Sequence, residues 1–200
     1  EYFSQAGFQN IQIVSHCVPQ SPNPNGFFGR NGFLFVGRLL ENHSPNADSI
    51  LWFTLKVLPI LRRVLGKDLL VNIVGANDGL ILRNFGDDSL RFLGRQGDLE
   101  ALYASSRVSI APTRFSAGIP LKMLEAAAHG VPVVATNHLG QQLGWVAGEE
   151  LLASDDPEEF AQHCIDLHTR EDLWEIIRAK ALAKMATDHS PEDFARRVVS

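Results

Sequence analysis

From Phe33 onwards, short apolar runs alternate with longer segments whose apolar residues recur at helical spacing. The apolar runs predict β-strands at 33–36, 69–74, 90–93, 108–111 and 133–135, with a weaker one at 150–153. The segments between them predict helices at 46–65, 80–85, 99–105 and 120–129. Strands that are apolar on both faces and alternate with helices are typical of a parallel sheet covered on both sides. We therefore predict an α/β protein with a doubly wound, Rossmann-like parallel sheet.

The two ends of the chain depart from this alternation. Residues 1–8 predict a short helix and 10–14 a strand, whereas 19–32 carry three prolines and three glycines, a composition that favours a linker or hinge. The C-terminal fifth predicts helices only, because Asp156 and Ser190 are each followed by a first-turn proline and acidic residues. We predict that residues 1–32 are the end of a preceding domain plus an interdomain linker. Residues 33–200 are predicted to form one domain with a helical C-terminal tail.

Composition narrows the class of protein. With 45% hydrophobic and 20% charged residues, the chain has the balance of an ordinary soluble globular protein. Its 18 basic and 23 acidic residues give a net charge of −5, which provides no global attraction for nucleic acid. No apolar run approaches the ~20 residues of a membrane span, and two cysteines are too few for a disulfide framework, so we expect a cytoplasmic protein. Because Glu1 stands where a Met would start a chain, we expect part of a longer protein, whose peripheral association with a membrane stays open.

Candidate chemistry lies in the loops that follow the strands, because open parallel sheets bind ligands at the carboxyl ends of their strands. After the first strand come Gly37, which permits close backbone approach, and Arg38, a fixed cation; together they suit an anionic ligand. The alternative is a turn glycine and a solvated arginine. His43 and His138 fall in predicted loops of the same kind.

The loop after the fourth strand carries the richest set of residues. Gly118 permits a tight approach and Pro120 suits the first helical position, so the amides of 118–121 are expected to point outward, unpaired, at a positive helix end. This arrangement predicts an anion site, most naturally for phosphate. Lys122 adds a cation, and Glu125 follows three residues later on the same helix face. The alternative is an exposed ion pair between these two side chains, worth about 0.3–0.5 kcal/mol.

The absence of several motifs argues against other chemistries. The chain has no G-x-G-x-x-G and no G-x-x-x-x-G-K-[ST], which argues against a dinucleotide cofactor and against P-loop phosphoryl transfer. It also has no D-x-D, no His/Cys spacing of the zinc type and no G-x-S-x-G elbow. We therefore expect no cofactor, no metal ion and no nucleophilic hydrolysis.

A family resemblance is carried by the segment 111–134, which reads APTRFSAGIPLKMLEAAAHGVPVV. It resembles the nucleotide-sugar-binding C-terminal domain of the GT-B fold glycosyltransferases, in particular the large retaining family four (group 1). Weaker matches at FVGR (35–38), LWF (51–53), VLP (57–59), VG (74–75) and FLG (92–94) extend the resemblance over about residues 33–199.

The resemblance implies roles for individual residues. Glu125 matches the glutamate that binds the ribose hydroxyls, Lys122 falls where the diphosphate is held, and Arg38 matches a phosphate contact of the first loop. Arg38 and Lys122 are thus the candidate catalytic residues. The candidate substrate-binding residues are Gly37, Arg95 (near the nucleobase), Arg114, Gly118, Ile119, Pro120, Leu121 and Glu125. The family's common pattern has a further glutamate eight positions before Glu125, where this chain has Ala117, so recognition of the donor sugar is not carried over.

Together these observations predict the donor-binding domain of a glycosyltransferase, the C-terminal half of a GT-B fold. The resemblance implies transfer of a sugar from a nucleoside-diphosphate sugar, with retention and without metal, in polysaccharide biosynthesis. The acceptor (a glycan, a lipid or a small molecule) would be held by an N-terminal domain outside this chain, so the chain alone is expected to be inactive. Cations and the helix end would stabilise the departing diphosphate. Two alternatives stay open: a non-catalytic α/β nucleotide- or phosphate-binding module, and a GT-B nucleotide-sugar epimerase.

Overall fold

The computed structural model describes residues 2–9, 16–39, 41, 43–66, 69–77, 89–116 and 118–199. The predicted strand at 10–14 and the predicted helix at 80–85 lie outside the described residues, and so does Ala117.

The described strands form one six-stranded parallel sheet with the order β3-β2-β1-β4-β5-β6. Their bounds are β1 Phe33–Val36, β2 Val71–Val74, β3 Leu90–Gly94, β4 Val108–Ala111, β5 Val133–Ala135 and β6 Leu152–Ala153. Each strand lies on the apolar run that predicted it, so the predicted parallel sheet is confirmed. The strand order reverses between β1 and β4, and such a reversal is the switch point at which open α/β sheets bind ligands.

Helices cover both faces of this sheet, as the alternating side chains of β1 show. The helices are α1 Tyr2–Gln5, α2 Pro45–Trp52, α3 Leu58–Leu65, α4 Glu100–Ser105, α5 Leu121–Ala128, α6 Asn137–Leu143, α7 Pro157–Thr169, α8 Glu171–Asp188 and α9 Pro191–Val199. Phe33 and Phe35 belong to a core shared with α2, α3 and α7. Leu34, between them, belongs to a second core shared with α4, α5 and α8. A sheet with an apolar core on each face is what the doubly wound fold requires.

Two helices of the tail, α7 and α9, begin where the sequence predicted. The Asp156 carboxylate accepts hydrogen bonds from the backbone N–H groups of Glu158 and Glu159 at 2.9 and 3.0 Å, which caps α7. The Ser190 hydroxyl accepts from the N–H of Asp193 at 3.1 Å at the start of α9. Within the described part of the chain, no helix is both long and apolar enough to cross a membrane.

The segment predicted as one helix over 46–65 is divided by a π-helical turn, Phe53–Val57. The N–H of Leu58 bonds to the carbonyl of Phe53, five residues back, instead of four. Pro59 accounts for the change, because proline donates no N–H and its ring crowds the carbonyl of the preceding turn. The two helices on either side, α2 and α3, still pack on the same core.

The proline-rich segment 19–32 lies along the domain and is bonded to it. The N–H of Ser21 donates to the carbonyl of Ala128 at 3.0 Å, at the last turn of α5. Arg30 is 1% exposed, and its Nη1 donates to the carbonyl of Tyr103 at 2.6 Å. The last carbonyls of a helix have no partner within the helix, so a neighbouring chain segment that supplies donors is stabilised there. Composition indicated a linker; the structure shows a docked segment, and the domain boundary at residue 32 stays a prediction.

Helix α6 is an element that the sequence analysis missed. It carries a glycine, Gly140, in its middle, which weakens its helical pattern, and it ends at Gly144 in the left-handed conformation, φ 67°. The sequence predicts a loop at His138, but this residue is the second residue of the helix. Helix α6 thus brings side chains to the carboxyl edge of the sheet that periodicity alone did not place there.

Candidate functional site

A cleft of about 540 Å³ opens at the switch point of the sheet, where β1 and β4 end. Its walls are the loop after β1, the first turn of α2, the loop after β4 and the start of α5. A smaller cleft of about 160 Å³ adjoins it and is lined by residues that follow β2 and β3. Val36, Gly37 and Arg38 line both clefts, so the two form one continuous surface on either side of the β1 loop.

Most of the predicted site residues meet in these clefts. The larger cleft collects Gly37, Arg38, Gly118, Ile119, Pro120, Leu121, Lys122 and Glu125. Arg95 lines the smaller cleft, and Arg114 lines neither. The carboxyl ends of parallel strands share one edge of a sheet, which is why loops far apart in sequence come together here.

Lys122 extends from the start of α5 towards neutral partners at one wall of the larger cleft. Its Nζ lies 2.5 Å from Oδ1 of Asn46 and 3.5 Å from Oγ1 of Thr113. The ammonium also lies over the ring of Phe35, 4.5 Å from the ring centroid, which is a favourable cation–π contact. None of these three partners carries a negative charge. The ammonium is therefore held in place by groups that leave its charge uncompensated.

The surroundings of Lys122 disfavour its positive charge. Burial removes water from the ammonium and lowers the pKa of Lys122 from 10.5 to about 8. An anion bound against the ammonium would favour the charged form and raise this pKa again. The wall of the cleft is therefore suited to a negatively charged ligand.

Asn46, which the sequence analysis did not single out, contacts both Lys122 and the β1 loop. Its Nδ2 donates to the carbonyl of Arg38 at 3.1 Å, while its Oδ1 faces the ammonium. A flipped amide would place NH₂ against an ammonium and oxygen against a carbonyl, so these two partners assign its orientation. A Cβ at residue 37 would lie 2.9 Å from Cγ and Nδ2 of Asn46, so Gly37 leaves room for this side chain. The helix-start signal at Ser44 could have placed Asn46 at this edge of the sheet, but no local pattern indicates its partner.

Glu125 lies one turn further along α5 and has a partner of its own. The Tyr103 hydroxyl donates to Oε2 of Glu125 at 3.4 Å, and the buried Tyr103 ring stacks on His129 with centroids 4.5 Å apart. Burial, followed by the charge of Glu125, raises the pKa of Tyr103, so the phenol keeps the proton that it donates. Lys122 and Glu125 therefore bind Asn46 and Tyr103, and the alternative of an ion pair between them is wrong.

The stretch before α5 matches the predicted anion site only in part. Gly118 has φ +97°, a conformation that favours glycine and agrees with the predicted tight turn. The helix begins at Leu121, one residue later than predicted, and the N–H of Leu121 donates to the carbonyl of Ile119 at 2.9 Å. The prediction of unpaired amides throughout this stretch is wrong at Leu121. The reason is Pro120, whose φ −77° and ψ 70° form an inverse γ-turn that closes this bond.

The floor between the two clefts depends on glycine. Gly75 has φ +140°, and a Cβ added there would lie 2.1 Å from the carbonyl oxygen of Gly37. The loops after β1 and β2 therefore pack backbone against backbone, and a side chain at residue 75 would separate them. Arg38 follows Gly37 on the loop after β1. Its side chain is exposed and has no ion-pair partner among the residues that the structure describes.

Arg114 lies outside the lining of both clefts. Its Nε lies 3.0 Å from Oδ2 of Asp48 and its Nη2 2.5 Å from Oδ1, a two-point ion pair that joins the loop after β4 to α2. Such a pair fixes both side chains, because the planar guanidinium matches the carboxylate. Arg114 therefore links the β4 loop to α2 and does not line the cleft. A contact between Arg114 and substrate stays a prediction.

A polar cluster lies at the side of the larger cleft that faces α6. The Ser116 hydroxyl lies 3.2 Å from Oε1 of Gln142 and 3.4 Å from Nε2 of His138. Ser116 lines the cleft together with Arg38, Lys122 and Glu125, so the lining includes cations, a carboxylate and a hydroxyl. These are the groups that bind phosphates and hydroxyls. Over the described ranges, no group of three or more His, Cys, Asp or Glu is placed to hold a metal ion.

The fold matches that of the Rossmann-like domains in solved GT-B glycosyltransferases. TarM from Staphylococcus aureus, solved as a mutant with fondaparinux, α-GlcNAc-glycerol and UDP, superposes with a TM-score of 0.78 at 14% identity, over 98% of this chain and 40% of that one. Anabaena HepE with UDP and glucose gives a TM-score of 0.72 at 15% identity, over 98% and 58%. The pneumococcal O-GlcNAc transferase GtfA with UDP and GlcNAc gives 0.68 at 19%, over 97% and 40%.

The sequence comparison identifies the family. The family model of the glycosyl transferases group 1 matches residues 30–170. The chain belongs to this family, as the resemblance indicated. A relative from Klebsiella pneumoniae, an uncharacterized 44.6 kDa protein in the cps region, is 28% identical in an alignment of 169 residues that covers 79% of this chain and 43% of that protein. The chain thus spans less than half the length of this relative.

Proposed function

We propose that this domain binds a nucleoside-diphosphate sugar and that the whole protein transfers the sugar to an acceptor, with retention and without a metal ion. The observation that carries the proposal is the Lys122 ammonium, which lines the same cleft as Arg38 and whose partners among the described residues are all neutral. A diphosphate supplies the negative charge that these two cations lack, through charge-assisted hydrogen bonds. Membership in the retaining family four, which the sequence motifs suggested, is part of the same proposal.

The two connected clefts suggest how the ligand lies. We place the diphosphate in the larger cleft between Arg38 and Lys122, and the ribose hydroxyls against Glu125. The nucleobase then occupies the smaller cleft beside Arg95. Because the β1 loop lines both clefts, a single ligand can contact both. Tyr103 donates to one oxygen of Glu125 and leaves the other available for the ribose.

The proposed reaction places charge where the cations are. The bond between the anomeric carbon and the diphosphate oxygen breaks, a new bond forms to the acceptor oxygen, and the acceptor loses its proton. Negative charge therefore grows on the departing diphosphate, and cations fixed in advance at that position stabilise the transition state. Arg38 and Lys122 are assigned this role, so transfer should persist in the presence of EDTA.

For the donor sugar nucleotide and the biological role of the protein, the proposal is less specific. TarM, HepE and GtfA were each solved with UDP, so UDP is the first nucleotide to test. The cluster of Ser116, His138 and Gln142 offers hydrogen bonds to the hydroxyls of a donor sugar. The cps-region relative supports a role in cytoplasmic polysaccharide biosynthesis, with the acceptor bound by the part of the protein outside this chain.

Thermal unfolding with a panel of ligands tests the proposal. UDP, GDP, dTDP and ADP are compared with their nucleosides, since a ligand at 100 times its Kd stabilises the folded state by about 2.7 kcal/mol. We expect one diphosphate to raise the unfolding temperature more than its nucleoside does. The gain should be lost in Lys122→Ala and kept in Lys56→Ala, which alters an exposed lysine of the π-helical turn. Equal effects of nucleoside and diphosphate throughout would contradict the proposal.

A further inference from the structure

We propose that Asn46 is a positioning residue of the diphosphate subsite: its side-chain amide holds the Lys122 ammonium at the cleft without neutralising it. The inference rests on the proposed function, because the subsite is the one assigned there. Its basis is a two-sided contact, in which one end of the amide binds Lys122 and the other end binds the β1 loop.

Asn46 is itself held in place, by the β1 loop and by helix α2. Its Nδ2 is bonded to the carbonyl of Arg38 at 3.1 Å, and the missing side chain at Gly37 gives it the space to reach that carbonyl. Its backbone belongs to the first turn of α2, which is capped by the Ser44 hydroxyl at 3.3 Å from the N–H of Ala47. A side chain anchored at both ends can fix the position of a flexible lysine.

The group that accepts from Lys122 is the neutral amide oxygen of Asn46. A carboxylate at this position would pair with Lys122, cancel its charge and repel a diphosphate. An apolar side chain would leave the buried ammonium without its shortest hydrogen bond. An amide oxygen avoids both outcomes, because it accepts from the ammonium and leaves the positive charge for a ligand.

None of the other charged side chains near Lys122 is paired with it among the described residues. On α2 and the β4 loop, Asp48 and Arg114 are paired with each other. On α5, Glu125 is bonded to Tyr103, and the β1 loop carries Arg38 and Glu41, of which only Arg38, a cation, lines the cleft. The strand beneath contributes only the ring of Phe35. Asn46 therefore provides the shortest polar contact of this ammonium, and changing it should change the ammonium directly.

The test measures Lys122 in the ligand-free chain and then its ligand. Carbon-13 NMR follows the ε-carbon of Lys122 against pH, with the signal assigned by its loss in Lys122→Met. The variants are Asn46→Ala and the nearly isosteric Asn46→Asp. The control is Asn137→Ala, which removes an amide that binds Asp155 at the start of α6 and does not contact Lys122. UDP and uridine affinities are then measured by calorimetry for each chain.

We expect the midpoint of the Lys122 titration to fall in Asn46→Ala, which loses an acceptor for the charged form, and to rise in Asn46→Asp, which gains a counter-charge. Both variants should bind UDP at least about tenfold more weakly with uridine affinity unchanged, as expected when a charge-assisted contact is lost. Asn137→Ala should match the wild type. A merely structural role for Asn46 would not move the titration in opposite directions.

Two results would overturn the proposal. One is a Lys122 titration that is the same in the wild type and both Asn46 variants. The other is UDP affinity within about twofold of the wild type in both variants, on the scale where tenfold is 1.4 kcal/mol. If the titrations move as expected and the wild type binds no nucleoside diphosphate, the Asn46–Lys122 contact is confirmed, whereas the diphosphate role fails together with the proposed function.

Discussion

Replacing Lys122 by methionine should make the ligand-free chain more stable at neutral pH. Methionine keeps an unbranched side chain in the same space but carries no charge to desolvate. The pKa of Lys122 is about 8 instead of 10.5, and each unit corresponds to about 1.4 kcal/mol, so keeping the charge costs about 3 kcal/mol. The contacts of the amine that methionine lacks, chiefly that with Asn46, subtract about 1–2 kcal/mol. We therefore expect a net gain of about 1–2 kcal/mol in the free energy of unfolding.

The pH dependence of this gain is the sharper test. The folded-state pKa of Lys122 is lowered, so the unfolded chain binds more protons between pH 8 and 10.5 and the stability of the wild type rises over that interval. The penalty is fully present below pH 8 and is gone above 10.5, so the advantage of Lys122→Met should shrink between these values. Urea unfolding of the wild type and of Lys122→Met at several pH values, with the m-value unchanged, measures this difference in the free energy of unfolding. Lys56→Met is the matched control. A difference that does not vary with pH, or a less stable Lys122→Met at neutral pH, would refute the reasoning.

Three further outcomes are expected. Lys122→Ala should weaken nucleoside-diphosphate binding by about 1.5–3 kcal/mol and leave nucleoside binding unchanged, whereas Glu125→Ala should weaken both ligands alike; calorimetry that shows a uniform loss across all four titrations would contradict the site. Gly75→Ala should destabilise the chain by about 3 kcal/mol or more in urea, because its Cβ would meet the backbone of residue 37 at 2.1 Å, while Gly97→Ala, with open space around it, should change little. The 200-residue chain alone should transfer no sugar, since it provides one wall of the expected active-site cleft, and measurable turnover by the purified chain would contradict this.

The parts of the site that could be predicted are those that a strand-to-helix loop carries by itself. Arg38 follows β1 and Lys122 follows β4, and any parallel sheet places the ends of those strands at one edge. Two strands that are neighbours in the sheet then bring the two cations to one cleft. Residue type and position relative to a strand were sufficient for this, because no distant contact is needed to define them.

The parts that could not be predicted are pairings across the sheet edge. Asn46 and Lys122 are far apart in sequence, and neither has a local pattern that names the other as its partner. The same holds for Arg114, which has the residue type of a phosphate contact but is bound by Asp48. Hydrogen bonds of this kind depend on the side-chain positions left by packing, which local sequence does not contain.

The sequence by itself determined the alternation of strands and helices apart from α6 and the division of 46–65, the two apolar faces of β1, the caps of α7 and α9, and the family. These depend on the periodicity, capping and motifs of contiguous residues. Only the tertiary structure decided that the proline-rich segment docks on the end of α5 and that Lys122 has no counter-ion among the described residues. Those outcomes depend on which unpaired donors and acceptors meet once both faces of the sheet are buried, and burial makes each unmade bond costly. That same burial lowers the pKa of Lys122, whereas its neutral partners Asn46 and Thr113 leave the charge available to an anion.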